Sequence, residues 1–404
     1  MDLTFPNEGS STLRALMPRV LTRLVQQYMA LPDGDPGSVR ALAYAAARSI
    51  VSRDASALAS ALALPTQSAL LGAVLHDGVP ASRRRLEHLD LLVLAELAVT
   101  SDAGDPTKIS KPAWGWPPLL SITAGWRIDL DDAVSSVTFA ARSMRIECGD
   151  AHVLEFDPRD APMRDAGAVR IAAGFVPIVG NVKLALADVN PLASVQLHPE
   201  RAGNAIDFGG RSLDEWLGPL RDAFALIERY LRPVYDEMQM LLRTVVPVGY
   251  LPERHASCSY EDALGSIYLT LHPSPLKMAE ALVHEFQHNK LHALMRLDAV
   301  LTNARTSRHR SPVRPDPRPL EGVLLAVHAF IPVAMMYRAM TEAGDPLAKS
   351  RDWGATCEAA ERVYRDGAET LYAHGEPTKT GRALLEEMRG LMDRLVAAKP
   401  GASG

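Results

Sequence analysis

The sequence predicts a predominantly helical α+β fold, and three observations carry that prediction. Up to about residue 100, apolar residues recur at helical spacing between short breaks. Between residues 134 and 187 the pattern shortens into brief runs bounded by turn residues. From 276 to 293 the stretch LKMAEALVHEFQHNKLHA holds no Gly or Pro and returns to the helical period.

In order, Ser10 and Ser11 are candidate caps for a helix over Leu13 to Met29. Asp33-Gly34-Asp35-Pro36-Gly37 is a break, and an Ala-rich helix follows from Val39 to Val51. Further helical patterns cover 55–76 and 81–99, with Arg83, Arg84 and Arg85 read as a solvated helix start rather than a phosphate or peptide site. The Pro-rich stretch 104–118, carrying Trp114 and Trp116, reads as a linker that packs against something. Short strands are expected at Val134 to Glu147, Ala151 to Phe156, Val169 to Val176 and Val182 to Ala187, with a turn at Asp157-Pro158-Arg159-Asp160.

Helix returns from Leu213 to about Val245. It starts on a capping box at Ser212 and Glu215, and Pro233 marks a boundary or kink. Ile267 to Leu271 is a strand candidate, either an edge that an extended peptide could join or an ordinary internal strand, with a turn or close approach at Gly265. Residues 305–319, RTSRHRSPVRPDPRP, hold five Arg and four Pro and form no regular helix. The next helix, from Leu320 to about Thr341, is apolar on nearly every face and therefore buried. Two amphipathic helices, about 354–373 and 379–397, close the chain. Two parts are expected: an all-helical N-terminal region over 1–128 and a metal-binding catalytic domain over 129–404.

Composition narrows the function. At 404 residues, with 47 % apolar and 23 % charged residues, the chain can bury a large core. A net charge of −5 gives no sign of nucleic-acid binding. Cys148, Cys258 and Cys357 are scattered, which argues against a disulfide framework or a thiolate zinc site. No basic start runs into an apolar segment, and no uninterrupted apolar run spans a bilayer, so a cytoplasmic protein without a membrane span is expected.

Chemistry concentrates in His284-Glu285-Phe286-Gln287-His288, an H-E-x-x-H match. Positions four apart on a helix share a face, so His284 and His288 can point at one metal ion. Glu285, the candidate catalytic residue, lies beside them within reach of a metal-bound water. Apolar flanks bury the helix, and buried imidazoles need partners, of which a metal is the simplest shared one. An H-E-x-x-H helix preceded by a small antiparallel sheet predicts a zincin-like core. His292, one turn further on, reads as a flanking residue.

Three residues compete for the third ligand. Glu321 lies at the start of the apolar helix, where a buried carboxylate needs a cation; His328 lies two turns further along, and Asp316 sits between prolines. With Glu321 the set suits a zinc peptidase or a 2-His-1-carboxylate Fe(II) oxygenase equally. A metal-free, peptide-binding domain is a third reading. The Arg-Pro loop favours the oxygenase, because Arg forks match carboxylates.

The segments GSIYLTL, ALVHEFQHNKL and SPVRPDPRPLEGVLLAVHAF together resemble the H-E-x-x-H family encoded beside ribosomal peptide natural-product precursors. The resemblance covers roughly residues 130–345. It implies an Fe(II)- and 2-oxoglutarate-dependent β-hydroxylase of a ribosomally made precursor peptide. It further implies iron held by His284, His288 and Glu321, and a 2-oxoglutarate carboxylate held by Arg314 and Arg318. The alternative, on the same ligands, is a zinc metallopeptidase acting on a peptide.

Overall fold

The computed structural model describes residues 1–7, 11–102, 104–149, 152–194 and 203–397. Four helices come first: α1 (Thr12–Met29), α2 (Val39–Leu62), α3 (Pro65–Asp77) and α4 (Val79–Thr100). The Ser11 hydroxyl caps α1 by accepting the Arg14 N–H; Ser10 lies outside the described residues. The helix expected over 55–76 is divided. Pro65 opens α3, and the residue before a proline avoids helical dihedrals, so Leu64 is extended. At the start of α4 the arginines are solvated, Arg83 pairing with Glu87 and Asp35, and Arg85 with Asp77.

Ten short strands follow: β1 (Thr107–Ser110), β2 (Leu119–Ser121), β3 (Trp126–Leu130), β4 (Val134–Ala140), β5 (Ser143–Cys148), β6 (His152–Phe156), β7 (Arg164–Ala166), β8 (Val169–Ala173), β9 (Phe175–Val179) and β10 (Val182–Ala185). They form two antiparallel sheets, ordered β1-β4-β5-β6 and β2-β3-β8-β7, while β9 and β10 begin a third. The run Val134 to Glu147 is therefore a hairpin, turned at Ala141 and Arg142, where Arg142 adopts φ 60°. The run Val169 to Val176 breaks at Gly174, where a Cβ would lie 2.9 Å from the Trp126 carbonyl. The stretch 104–118 does pack. Trp114 Nε1 donates to Glu87 and Trp116 Nε1 to the Val134 carbonyl at 3.0 Å. The N-terminal region is thus not all-helical, and a boundary at 128 would cut β3.

Helices α5 (Leu213–Tyr230) and α6 (Arg232–Leu241) precede β11 (Thr244–Tyr250), β12 (Ser257–Cys258) and β13 (Ser266–Leu271). The Ser212–Glu215 capping box is formed. The chain breaks at Leu231 because Pro233 belongs to the first turn of α6, and Val245 lies in a strand, within the β-branched run TVV. The third sheet runs β12-β13-β11-β10-β9. It is mixed rather than antiparallel, since β10, β11 and β13 run parallel. The α5–α6 crossover between β10 and β11 allows this. Strand β13 is internal, because β12 pairs along its outer side and is itself the edge.

The rest is α7 (Pro275–Met295), the small pair β14 (Arg308–His309) and β15 (Arg318–Pro319), α8 (Leu320–Glu342), α9 (Trp353–His374) and α10 (Lys379–Ala397). Helix α8 is long and apolar enough to cross a membrane, but 72 % of its most apolar window is buried inside the fold. One hydrophobic core runs from Leu3 to Leu395 across the N-terminal helices, the mixed sheet and α5 to α10. A second, smaller core lies between α4 and the two antiparallel sheets. The architecture is α+β and mostly helical.

Candidate metal centre

Helix α7 is fixed from several sides before any ligand is considered. The Ser274 hydroxyl caps it, accepting the Lys277 N–H, and Pro275 occupies its first turn. Asn289, fully buried, accepts the Gly265 N–H at 2.7 Å and donates to the Ser266 carbonyl at 3.1 Å, so the helix is tied to the start of β13. Gly265 is required there. Its φ is +85°, and a Cβ would sit 2.5 Å from the Leu241 carbonyl oxygen. Lys290, also fully buried, pairs with Glu237 of α6 at 2.5 Å. The other Glu237 oxygen accepts the Ser11 hydroxyl at 2.5 Å. These ties set the rotation of α7 about its axis and hence where its histidines point.

Glu280, His284, His288 and His292, each four residues apart, line one cavity of about 520 Å³. The rings of His284 and His288 lie 4.4 Å apart, and Phe330 of α8 packs edge-on against His284 at 5.0 Å. His284, Glu285 and His288 present ligand atoms that all lie within 4.8 Å of one another. Among the described residues this is the one group of three or more His, Cys, Asp or Glu close enough to hold a metal ion.

Electrostatics favour neutral His284 and His292 and an ionised Glu285. Burial, then the neighbouring His288, pushes His284 down to about 4. His292 is pushed down to about 3, again chiefly by burial. Burial alone would raise Glu285, but His288 and hydrogen bonding outweigh it and hold the carboxyl at about 2. The Ser257 hydroxyl donates to Glu285 Oε1 at 2.7 Å and the Ser259 hydroxyl to Oε2 at 2.8 Å. Two residues apart on an extended segment, these serines project to the same side. His288 Nδ1 faces Glu285 Oε2 at 3.3 Å, while its Nε2 is buried with no hydrogen-bond partner. A proton on Nδ1 leaves the Nε2 lone pair free. An orphaned, buried imidazole nitrogen beside a second imidazole is the donor set a divalent ion needs. The residues present therefore fit a metal.

The other sequence candidates separate. Arg314 and Arg318 line the same cavity as the histidines. Both are engaged with Asp316, Arg314 Nε at 3.1 Å and Arg318 at 3.7 Å. Glu321 is not brought to the histidines and does not line the cavity. Its carboxylate accepts from Arg305 Nε at 2.5 Å and from a second Arg305 nitrogen at 2.9 Å. The expectation that it needs a cation is met by Arg305 instead of a metal. His328 is fully buried in α8 and outside the cavity lining. The carboxylate of the close group is Glu285 itself.

Ser257, Ser259 and two further ionisable lining residues, Glu280 and His255, escaped the sequence reading. Glu280 accepts from Tyr337 Oη at 2.5 Å and Lys277 Nζ at 2.9 Å. Its signal was present, one turn ahead of His284 on the same stripe. His255, in the loop before β12, has no periodic signal, because its position depends on how that loop returns to β13.

Comparison with protein-family models finds no match, and comparison with curated proteins finds no significant similarity.

Proposed function

We propose that the chain is a non-haem Fe(II)- and 2-oxoglutarate-dependent hydroxylase that acts on the β-carbon of a residue in a ribosomally made precursor peptide. One observation carries the reading: His284, His288, Arg314 and Arg318 line a single cavity. Bound there, iron and 2-oxoglutarate would supply the oxidation with O2 as oxidant: one oxygen atom would turn a C–H bond into C–OH, and the other would enter succinate as 2-oxoglutarate loses carbon dioxide.

The protein's part is positioning. His284 and His288 hold the ion, and Glu285, gripped by two serines, fixes the proton on His288 Nδ1. Arg314 and Arg318 receive the cofactor's far carboxylate, since a guanidinium fork matches it. Phe330, Leu325 and Ala326 form an apolar wall that excludes water from the reacting carbon. The edge strand β12 also lines the cavity, so an extended peptide can lie along it through backbone hydrogen bonds. A zincin-like reading of β11, β13, β12 and α7, and a cytoplasmic location, belong to the same proposal.

A zinc peptidase would use the same histidines, with Glu285 taking a proton from the metal-bound water. The serine clamp weighs against it. Both Glu285 oxygens already accept hydroxyl hydrogen bonds, which lowers their availability as a base. With Fe(II), ascorbate and O2, the chain should convert 2-oxoglutarate to succinate slowly even without peptide. Absence of succinate, together with peptide cleavage in Zn2+, would replace this reading with the peptidase.

A further inference from the structure

A second cavity, of about 600 Å³, lies where α1, α2 and α4 meet the far edge of the mixed sheet. None of its lining residues lines the metal cavity. Its walls carry two cations. Lys183 Nζ donates to the Ile122 and Thr123 carbonyls at 2.7 and 2.8 Å. Arg243 donates to the carbonyls of Met240 at 2.8 Å and Leu242 at 3.0 Å, at the end of α6. Neither forms an ion pair within 4.0 Å among the described residues. Their partners are neutral carbonyls.

The third charged group in the wall, Glu96, acts on Lys183 as a counter-charge at longer range but not on Arg243. It is fully buried. Its Oε1 accepts the Ile122 N–H at 2.6 Å and the Thr123 N–H at 3.3 Å, on the same turn that Lys183 holds. Burial raises its pKa and lowers those of Lys183 and Arg243. A half-buried cation without a counter-charge, as Arg243 is here, is costly, and an oxyanion that enters the cavity recovers part of that cost. Around the cations the wall is apolar, including Leu21, Leu64 and Met240. The volume lies within the range of small-molecule sites.

We propose that this cavity is a binding site for an amphipathic oxyanion, a carboxylate or phosphate monoester on an apolar body, with the head group at Arg243 and Lys183. The proposal does not depend on the metal centre.

The test is equilibrium dialysis of the full chain with decanoate and with decyl phosphate below their micellar concentrations. Decyltrimethylammonium serves as the charge-reversed probe. The expected result is saturable one-to-one binding of an anionic probe, at least ten-fold weaker in Arg243→Met and blocked in Leu21→Trp, which fills the cavity and leaves the cations in place. Whichever head group binds more tightly assigns the ligand class. Because Arg243 also caps α6, circular dichroism checks that variant, and Leu21→Trp decides if it does not fold. Failure of both anions to saturate, equal binding of the ammonium probe, or undiminished binding in Leu21→Trp overturns the proposal.

Discussion

Nδ1 of His288 lies 3.3 Å from Oε2 of Glu285, and the same carboxylate is gripped by Ser257 and Ser259. The second residue of the motif thus acts on the fifth, and through it on any bound ion. Glu285→Gln keeps the shape and removes the charge that favours a proton on Nδ1. It should weaken metal binding by about 10- to 100-fold, the usual cost of losing such a partner. At saturating Fe(II) it should keep substantial turnover, whereas a peptidase would lose nearly all activity. Metal titration and succinate release on one preparation separate the two.

Each histidine is needed for the ion. His284→Ala and His288→Ala should both purify without bound metal and fail to load it on dialysis. A full equivalent of metal by elemental analysis in either variant would remove that residue from the centre.

Glu321→Gln should leave metal content unchanged, because its carboxylate is spent on Arg305. Arg305 is 70 % exposed, so the pair contributes no more than about 1 kcal/mol after solvent screening. Thermal unfolding should shift slightly. Loss of metal from this variant would restore Glu321 as a ligand.

Asp316 pairs with Arg314 and Arg318, the residues proposed to receive the cofactor's carboxylate. Asp316→Asn should tighten 2-oxoglutarate binding several-fold, and Arg318→Ala should weaken it. Calorimetric titration of the metal-loaded protein reads both. Unchanged affinity in Arg318→Ala removes that residue from the site.

A stability prediction comes from Asp298, which links α7's exit to α10. It accepts from Thr378 Oγ1 at 2.7 Å, Thr380 Oγ1 at 2.8 Å and the Val300 N–H at 2.9 Å. Burial would raise its pKa, but these donors win and lower it. A lowered folded pKa gives stability that is complete above the ordinary value of 3.8 and is lost as pH falls through the folded value. Asp298→Ala should cost about 1–2 kcal/mol at neutral pH, as loss of a cap does. Urea unfolding should show the gap closing in acid.

Local signals in the sequence identified the helices, the Ser212 capping box and the α7 stripe, because each depends on residues within one or two turns. Breaks that depend on a proline's neighbour, as at Leu64, were legible in principle from Pro65. Strand partners were not. Nothing near Ile267 indicates that Ser257 and Cys258 return to cover it, so the choice between an edge and an internal strand stayed open. Within the site, His284 and His288 stood out through their spacing. The fate of Glu321 turned on Arg305, sixteen residues earlier, and a loop's return cannot be read from periodicity. Glu285's serine partners, 28 and 26 residues away, were hidden for the same reason.

The most direct test of the central claim needs no peptide. Apoprotein is loaded anaerobically with Fe(II), titrated with 2-oxoglutarate and followed in the visible. The account predicts a weak charge-transfer band that saturates at one equivalent and is absent in His284→Ala. No band, with tight Zn2+ binding at the same histidines, would contradict it.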